Sequence, residues 1–384
     1  MKKKDKHLFL IAGEHSGDHH GQSLMQALKQ YGKVTFSGVG GPMMRQEGMK
    51  TLIPMEEFTL MGFKEIFLNL FKVFWQFRKI RKAIFKSQPD AVVFIDYPGF
   101  NIRMAKSLRK KGYKGRLIHY ISPTVWAWGK GRIKKMASSL DRLLTILPFE
   151  AKCFESTPLP VAYVGHPTVE QIDTYNYDPD WKAKLGIEPN KTLLSLFPGS
   201  RSLELEQGLP KQLEALEKLS QETPDSIIAV SCADEKYREH IESALRERGV
   251  TAYIIPQKFT YELMRETRAA IATSGTITLE LGLHQVPTVT TYEVKGFNRF
   301  VAKNILRVNL PFYCIVNILC GKEVFPEFIA KPYTPEELVN TLRPFLGESM
   351  KREQVVEGCQ ELKRILGETS ASKNAAKHIL ELLR

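Results

Sequence analysis

Residues 192–216 read TLLSLFPGSRSLELEQGLPKQLEAL, and this stretch decides the fold. The apolar run Leu193–Phe197 predicts a buried strand. Pro198, Gly199 and Ser200 make a turn, and a helix opens near Ser202. Glu204 and Glu206 suit the first turn of that helix, where the macrodipole favours negative charge. Gly208 and Pro210 predict a break and a restart. A glycine turn feeding a helix N-terminus leaves backbone N–H groups that can hold a phosphate or diphosphate. Arg201 stands at the turn, and its guanidinium fork can bind two phosphate oxygens at once. Taken alone, the turn serves equally well as an ordinary strand-to-helix connection with Arg201 in solvent.

The pattern recurs outward from there. Short apolar runs lie at Leu8–Ala12, Val34–Val39, Ala91–Ile95, Leu117–Ile121, Leu143–Leu147 and Ala162–Val164. A second series follows at Leu193–Phe197, Ile227–Ser231, Tyr253–Ile255, Ala270–Ala272 and Thr288–Thr291. Helical segments alternate with them, which predicts parallel sheets built of βαβ units. The class is α/β, with two Rossmann-like series, each the size of one doubly wound domain. A chain of 384 residues is long for one core. Gly and Pro in Val164-Gly165-His166-Pro167 mark a boundary. The expected domains are 1–166 and 167–365, with a final helix in 366–384 packing back on the first. Asp173–Trp181 is polar and aromatic and reads as a linker or a loose first turn.

The net charge of +13 points to an anionic partner: nucleic acid, an acidic membrane surface or phosphorylated substrates. Five scattered cysteines without CxxC spacing argue for free thiols in a reducing compartment, against a disulfide frame or zinc site. The start, MKKKDKHLFLIAGE, has too short an apolar run for a signal peptide and reads as a first strand. No stretch has the roughly 18 uninterrupted apolar residues of a spanning helix. Met61–Phe85 is unusual. It carries Phe63, Phe67, Leu70, Phe71, Phe74, Trp75, Phe77, Ile80 and Ile84 among Lys64, Lys72, Arg78, Lys79, Arg81 and Lys82. That apolar surface is wider than one packing stripe needs. One face is expected in the core, and the excess (Phe67, Phe71, Phe74, Trp75, with Arg78) against lipid or a partner.

Four more turns follow strands. Ala12-Gly13-Glu14-His15-Ser16-Gly17-Asp18 leads into a helix. It is not GxGxxG, so a dinucleotide reading has little support. His15, His19 and His20 lack the regular helix of a zinc site and read as polar residues at a cleft mouth, where Glu14, Ser16 and Asp18 can meet sugar hydroxyls. Asp96 ends the strand before Tyr97-Pro98-Gly99-Phe100-Asn101. A half-buried carboxylate at a sheet's carboxyl edge can act as general base; the residues alone slightly favour an N-cap. Ser274-Gly275-Thr276 opens a helix, offering hydroxyls and N–H groups to a nucleotide. Glu280, one turn on, suits either ribose hydroxyls or the helix dipole. Two Trp residues in Ser122-Pro123-Thr124-Val125-Trp126-Ala127-Trp128 suit loop packing or flanking an acyl chain or sugar. The DxD spacing Asp178-Pro179-Asp180 lies in the linker and not at a strand end, so no divalent ion is expected in the chemistry and no metal site is assigned.

AGEHSGDHHG, MEEFTLMGFKEI, FIDYPGFN, HYISPTVWAW, LPFE, VGHP, FPGSR, SGTITLE and LPFYCIVNILCGKEV occur in this order. Together they resemble the lipid A disaccharide synthase family, inverting glycosyltransferases of the GT-B type, over nearly the whole chain, from Leu8 to about Glu327. The resemblance implies two Rossmann-like domains facing across a cleft, the first binding acceptor and the second UDP-sugar. It implies transfer of 2,3-diacylglucosamine from UDP to the 6-hydroxyl of 2,3-diacylglucosamine 1-phosphate, with inversion, giving a β-1,6 disaccharide 1-phosphate and UDP. Asp96 matches the general base. Glu14, Ser16, Asp18 and Asn101 match the acceptor side; Ser200, Arg201, Ser274, Gly275, Thr276, Glu280 and Asn317 match the UDP side. No cofactor and no nucleic acid are implied. The place implied is the cytoplasm, at the inner-membrane surface. The sequence departs from the family where Ile315-Val316-Asn317 replaces the usual L-P-N, and where Ala330 replaces a common Gln. The alternatives are another UDP-sugar GT-B enzyme, a UDP-sugar epimerase, or a basic nucleic-acid- or membrane-binding protein.

Overall fold

The computed structural model describes residues 5–59, 70–293, 310–329 and 331–384. The chain divides into two compact units, Met1–Glu170 with Glu368–Arg384, and Gln171–Gly367.

The first unit holds a parallel sheet: β1 (Lys6–Ala12), β2 (Val34–Gly40), β3 (Lys50–Pro54), β4 (Ala91–Ile95), β5 (Arg116–Tyr120), β6 (Arg142–Thr145) and β7 (Val161–Tyr163). Its order is β3-β2-β1-β4-β5-β6-β7. The chain runs outward from β1 to β3, then returns to β1's other side and runs outward through β7. The reversal leaves a crevice at the carboxyl ends of β1 and β4, where open α/β sheets bind ligands. All five residues of β4 are buried, as a strand covered on both faces requires. Phe9, Ile11, Val92, Phe94 and Leu117 face one layer with Ile80, Ile84 and Leu108. Leu8, Leu10, Val93, Ile95 and Ile118 face the other, with Leu24, Met25 and Leu28. The final helix, Ala371–Leu382, belongs to this second layer through Ala375, Ala376 and Ile379. Glu170 holds its N-terminus, accepting bonds from Ser370 Oγ (2.6 Å), Ser372 N (2.9 Å) and Ser372 Oγ (2.5 Å).

The second unit holds β8 (Thr192–Phe197), β9 (Ser226–Cys232), β10 (Ala252–Pro256), β11 (Thr267–Thr273), β12 (Thr288–Tyr292) and β13 (Glu327–Ile329). The order is β10-β9-β8-β11-β12-β13, again all parallel, with its reversal between β8 and β11.

Four local expectations change. The helix after β8 is continuous, Ser202–Glu222, with Pro210 inside it. Leu205, Leu209, Leu213, Leu216 and Leu219 are all buried along one face. At roughly 1.5–3 kcal/mol per buried leucine, their packing outweighs the ~3 kcal/mol that an interior proline costs. Asp173–Trp181 is not a loose linker. Trp181 is buried and donates to Glu266 (2.7 Å), and Tyr175 packs edge-on against Tyr177 and Tyr261. Ile121 leaves β5 with φ +72° and does not extend it. The short outermost strands β3 and β13 went unseen, because three to five half-exposed residues carry little periodic signal.

Among the described residues no helix is long and apolar enough to cross a membrane.

Candidate functional site

Two turns meet at the reversal in the first sheet. After β1, Gly13 lies against the Tyr97 ring: a Cβ on Gly13 would stand 2.6 Å from Tyr97 Cδ1. Only a residue without a side chain lets the two loops approach this closely. Glu14 and Ser16 are exposed, and Glu14 makes no side-chain cap bond to its helix, His15–Gln30.

After β4, Asp96 (φ +48°) and Tyr97 (φ +46°) both take left-handed backbone conformations. Each costs a non-glycine residue about 1–3 kcal/mol, strain that accumulates at functional sites. The structure over-determines the turn. Asp96 N donates to Tyr120 O (2.9 Å), and Asn101 Nδ2 donates to Asp96 O (2.6 Å) and Ile95 O (3.4 Å). Ile121, on the adjacent strand end, is a third strained residue. Asp96 does not cap the following helix, Pro98–Lys110, whose N-cap is Tyr97. Burial, and then the Glu14 carboxylate, push the Asp96 carboxyl up to about 6; the Tyr97 N–H opposes this. A half-buried carboxylate with its pKa near the working pH has the properties of a general base.

Two expected acceptor contacts are corrected here. Asp18 is buried, and both its oxygens are occupied: Oδ1 accepts from Gly41 N (2.8 Å) and Met44 N (3.1 Å), Oδ2 from Met43 N (3.0 Å). Asp18 caps the helix Pro42–Gln46 from outside. Asn101 is fully buried and braces the Asp96 backbone from beneath. Two residues not singled out from sequence also stand in this region. Tyr97 packs on Phe58 and Phe100 beside Gly13. Glu150 is buried near Trp126, its carboxyl pushed up to about 7 by burial, and accepts from Leu147 N (3.1 Å). A carboxylate closing the apolar run of LPFE was the available signal. Trp126 packs edge-on against Phe149, and Arg132 lies 4.2 Å from the Trp128 ring centroid.

In the second unit, two turns flank the reversal between β8 and β11. Thr273 Oγ1 donates to Pro198 O (2.8 Å), tying them together. Ser200 N donates to Glu204 Oε2 (3.0 Å), and Arg201 Nη1 to Glu204 Oε1 (2.6 Å). Ser274 N donates to Thr291 O (2.8 Å), while Gly275 and Thr276 are exposed at the start of helix Thr276–Leu283. Glu280 is half-buried beside Tyr261, its carboxyl raised to about 7 by burial. Asn317 is corrected: it is fully buried, donating to Phe325 O (2.7 Å) and accepting from Val324 N (2.8 Å) and Phe325 N (2.9 Å). It fastens helix Ile315–Cys320 to the segment entering β13, which leaves no direct nucleotide contact for its side chain.

The helix Leu70–Ser87 buries Gln76, Ile80 and Ile84 and exposes Phe74 (54%) and Trp75 (66%). Arg78 lies over the Phe74 ring at 5.4 Å. A groove of about 860 Å³ beside it is lined by Trp75, Lys72, Arg78, Lys79, Arg81 and Lys82, among others. Phe67 falls outside the described residues, and only the backbone of Phe71 is described.

The family model described as Lipid-A-disaccharide synthetase matches residues 8–381. The chain belongs to the lipid-A-disaccharide synthetase family. A lipid-A-disaccharide synthase of Chlamydia pneumoniae is 40% identical over 384 residues, 99% of this chain and 63% of that protein. The chain thus spans less than two thirds of the chlamydial relative. One from Rhodospirillum centenum is 36% identical, over 98% of this chain and 94% of the relative. Among solved structures, a UDP-GlcNAc 2-epimerase from Neisseria meningitidis bound to UDP-GlcNAc superimposes with TM-score 0.64 at 12% identity, covering 98% of this chain and 100% of its own. The glycotransferase of kitacinnamycin does so with TM-score 0.64 at 12% identity, covering both chains fully. These likenesses share the fold, two Rossmann-like parallel sheets of the GT-B type. Within the lipid-A-disaccharide synthetase family, the motif turns of this chain fall at the two sheet reversals.

Proposed function

We propose that this chain is a lipid A disaccharide synthase. It transfers 2,3-diacylglucosamine from UDP to the 6-hydroxyl of 2,3-diacylglucosamine 1-phosphate with inversion. The observation that carries this is Asp96 in a chain of this family: a strained, half-buried carboxylate at a sheet reversal, its pKa raised to about 6. Asp96 accepts the acceptor's 6-hydroxyl proton as that oxygen bonds to the anomeric carbon. The bond from the anomeric carbon to the diphosphate breaks on the opposite side, and UDP leaves. Negative charge growing on the diphosphate is stabilised by the N-termini of helices Ser202–Glu222 and Thr276–Leu283 and by Arg201. Glu14 and Ser16 contact the acceptor, and Glu280 the ribose.

The exposed Phe74 and Trp75, with the cations of the neighbouring groove, seat the protein on an anionic membrane surface from which both lipid substrates are drawn. Its place is the cytoplasmic face of the inner membrane. The decisive test is a mass spectrum of products after incubation with both acylated precursors. A disaccharide monophosphate with release of UDP supports the reading. An epimerised UDP-sugar, or no coupling, refutes it.

A further inference from the structure

The turn that would receive the diphosphate already holds an anion. Glu204 folds back from the first turn of its own helix, so that Oε2 accepts the Ser200 N–H (3.0 Å) and Oε1 accepts from Arg201 Nη1 (2.6 Å). Its side chain is 8% exposed, against 74% for Arg201. Gly199, at φ +108°, makes the room: a Cβ there would stand 2.4 Å from Glu204 Oε2. A second observation points to a ligand at this place. The turn borders a cavity of about 50 Å³ lined by Arg201, Glu204, Gln207, Gln212, Thr273 and Thr291, among others. Gln212 is wholly buried there, and its amide nitrogen donates to Thr291 Oγ1 (2.8 Å) and Thr273 Oγ1 (3.3 Å). Its Oε1 has no partner among the described residues. A buried acceptor left in this state takes a donor from outside the fold, which a nucleotide's ribose hydroxyls or base N–H supply and its diphosphate does not.

We propose that Glu204 is a resident anion in the diphosphate seat: the nucleotide displaces its carboxylate from the Ser200 N–H and takes over Arg201. The inference rests on the UDP reading of this turn and adds to it a residue that sets nucleotide affinity. Two anions cannot share one N–H and one guanidinium fork at hydrogen-bond distance without strong repulsion. The ligand therefore binds only by exchange, and the returning carboxylate assists departure of the product. The one further charged residue that lines the cavity among those described, Glu293, is paired with Lys211 outside it. The exchange accordingly centres on Glu204 and Arg201.

The test is calorimetric titration of the full chain and of Glu204→Gln with UDP, uridine and inorganic pyrophosphate. Glutamine keeps an acceptor for Ser200 but loses the charge. The variant is expected to bind UDP and pyrophosphate about tenfold tighter or more, with uridine unchanged. Unchanged or weaker UDP binding by a folded Glu204→Gln, beside a wild type that binds UDP, overturns the exchange and leaves the UDP reading standing. Failure of both proteins to bind UDP overturns the UDP reading and this inference with it. Should the variant not fold, a crystal structure of wild type with UDP decides: Glu204 swung away from Ser200 N supports exchange, and Glu204 still bonded there refutes it.

Discussion

Asp96 is costly to keep, and the sign of that cost is informative. Folding raises its carboxyl pKa from about 3.8 to about 6, chiefly through burial. The unfolded chain therefore gives up the proton first, and stability falls as pH rises between those values. Above about pH 6 the ionised group opposes the fold while being the form a general base requires. Asp96→Asn is expected to lower turnover about a hundredfold or more while leaving the melting midpoint at pH 8 unchanged or higher. Near-normal turnover would remove Asp96 from the base's role. In the wild type, kcat/KM is expected to fall as pH drops below about 6. At Gly13 the argument is steric. Gly13→Ala drives a methyl into the Tyr97 ring, so turnover is expected to drop several-fold with donor KM little changed. A change confined to donor KM would show that this turn does not serve the acceptor side.

At the scale of elements, the helix Leu70–Ser87 divides its labour by face. Ile80 and Ile84 hold it to the sheet, and Phe74 and Trp75 stand outward beside Lys72, Arg78 and Lys79. Replacing Phe74 and Trp75 together by Ser removes no buried contact, so the melting midpoint is expected to stay within about a degree. Vesicle association, followed by flotation with anionic lipid, is expected to fall at least fivefold and to weaken with salt, because cations supply part of it. Binding that persists unchanged would assign this face to another partner. The helix Ser202–Glu222 teaches the opposite lesson: five buried leucines carry it through a proline that local rules read as a break.

For the whole molecule, the chain passes between the two units twice, because Glu368–Arg384 returns to the first. Ile379, Ala375 and Ala376 complete the layer that covers Leu8, Leu10 and Val93, and Glu170 pins the incoming helix. Truncation after Gly367 exposes that layer, and loss of Ile379 alone is worth about 2–5 kcal/mol. The truncated chain is expected to lose the cooperative thermal transition of the first unit, monitored by calorimetry. A full set of transitions at unchanged temperature would show that the returning helix contributes little.

The sequence by itself determined the α/β class, the strand series apart from the outermost β3 and β13, and the strand-to-helix turns. β-branched runs and glycine turns act locally, and their signal survives without neighbours. It also carried the family, since nine motifs in order are more specific than any one of them. Only the tertiary structure decided what individual polar side chains in those turns do. Asp18 and Asn317 sit in family motifs, yet their carboxylate and amide groups are taken up by backbone partners, and Asn101, in the motif of Asp96, is buried with its amide nitrogen donating to the Asp96 carbonyl. Asp18 meets Gly41 across 23 residues of chain. A hydrogen bond between distant segments leaves no periodic trace, and the same is true of the strain at Asp96 and of Glu204 folded back on Ser200. Each exists because packing brings together groups that the chain, read in order, keeps apart.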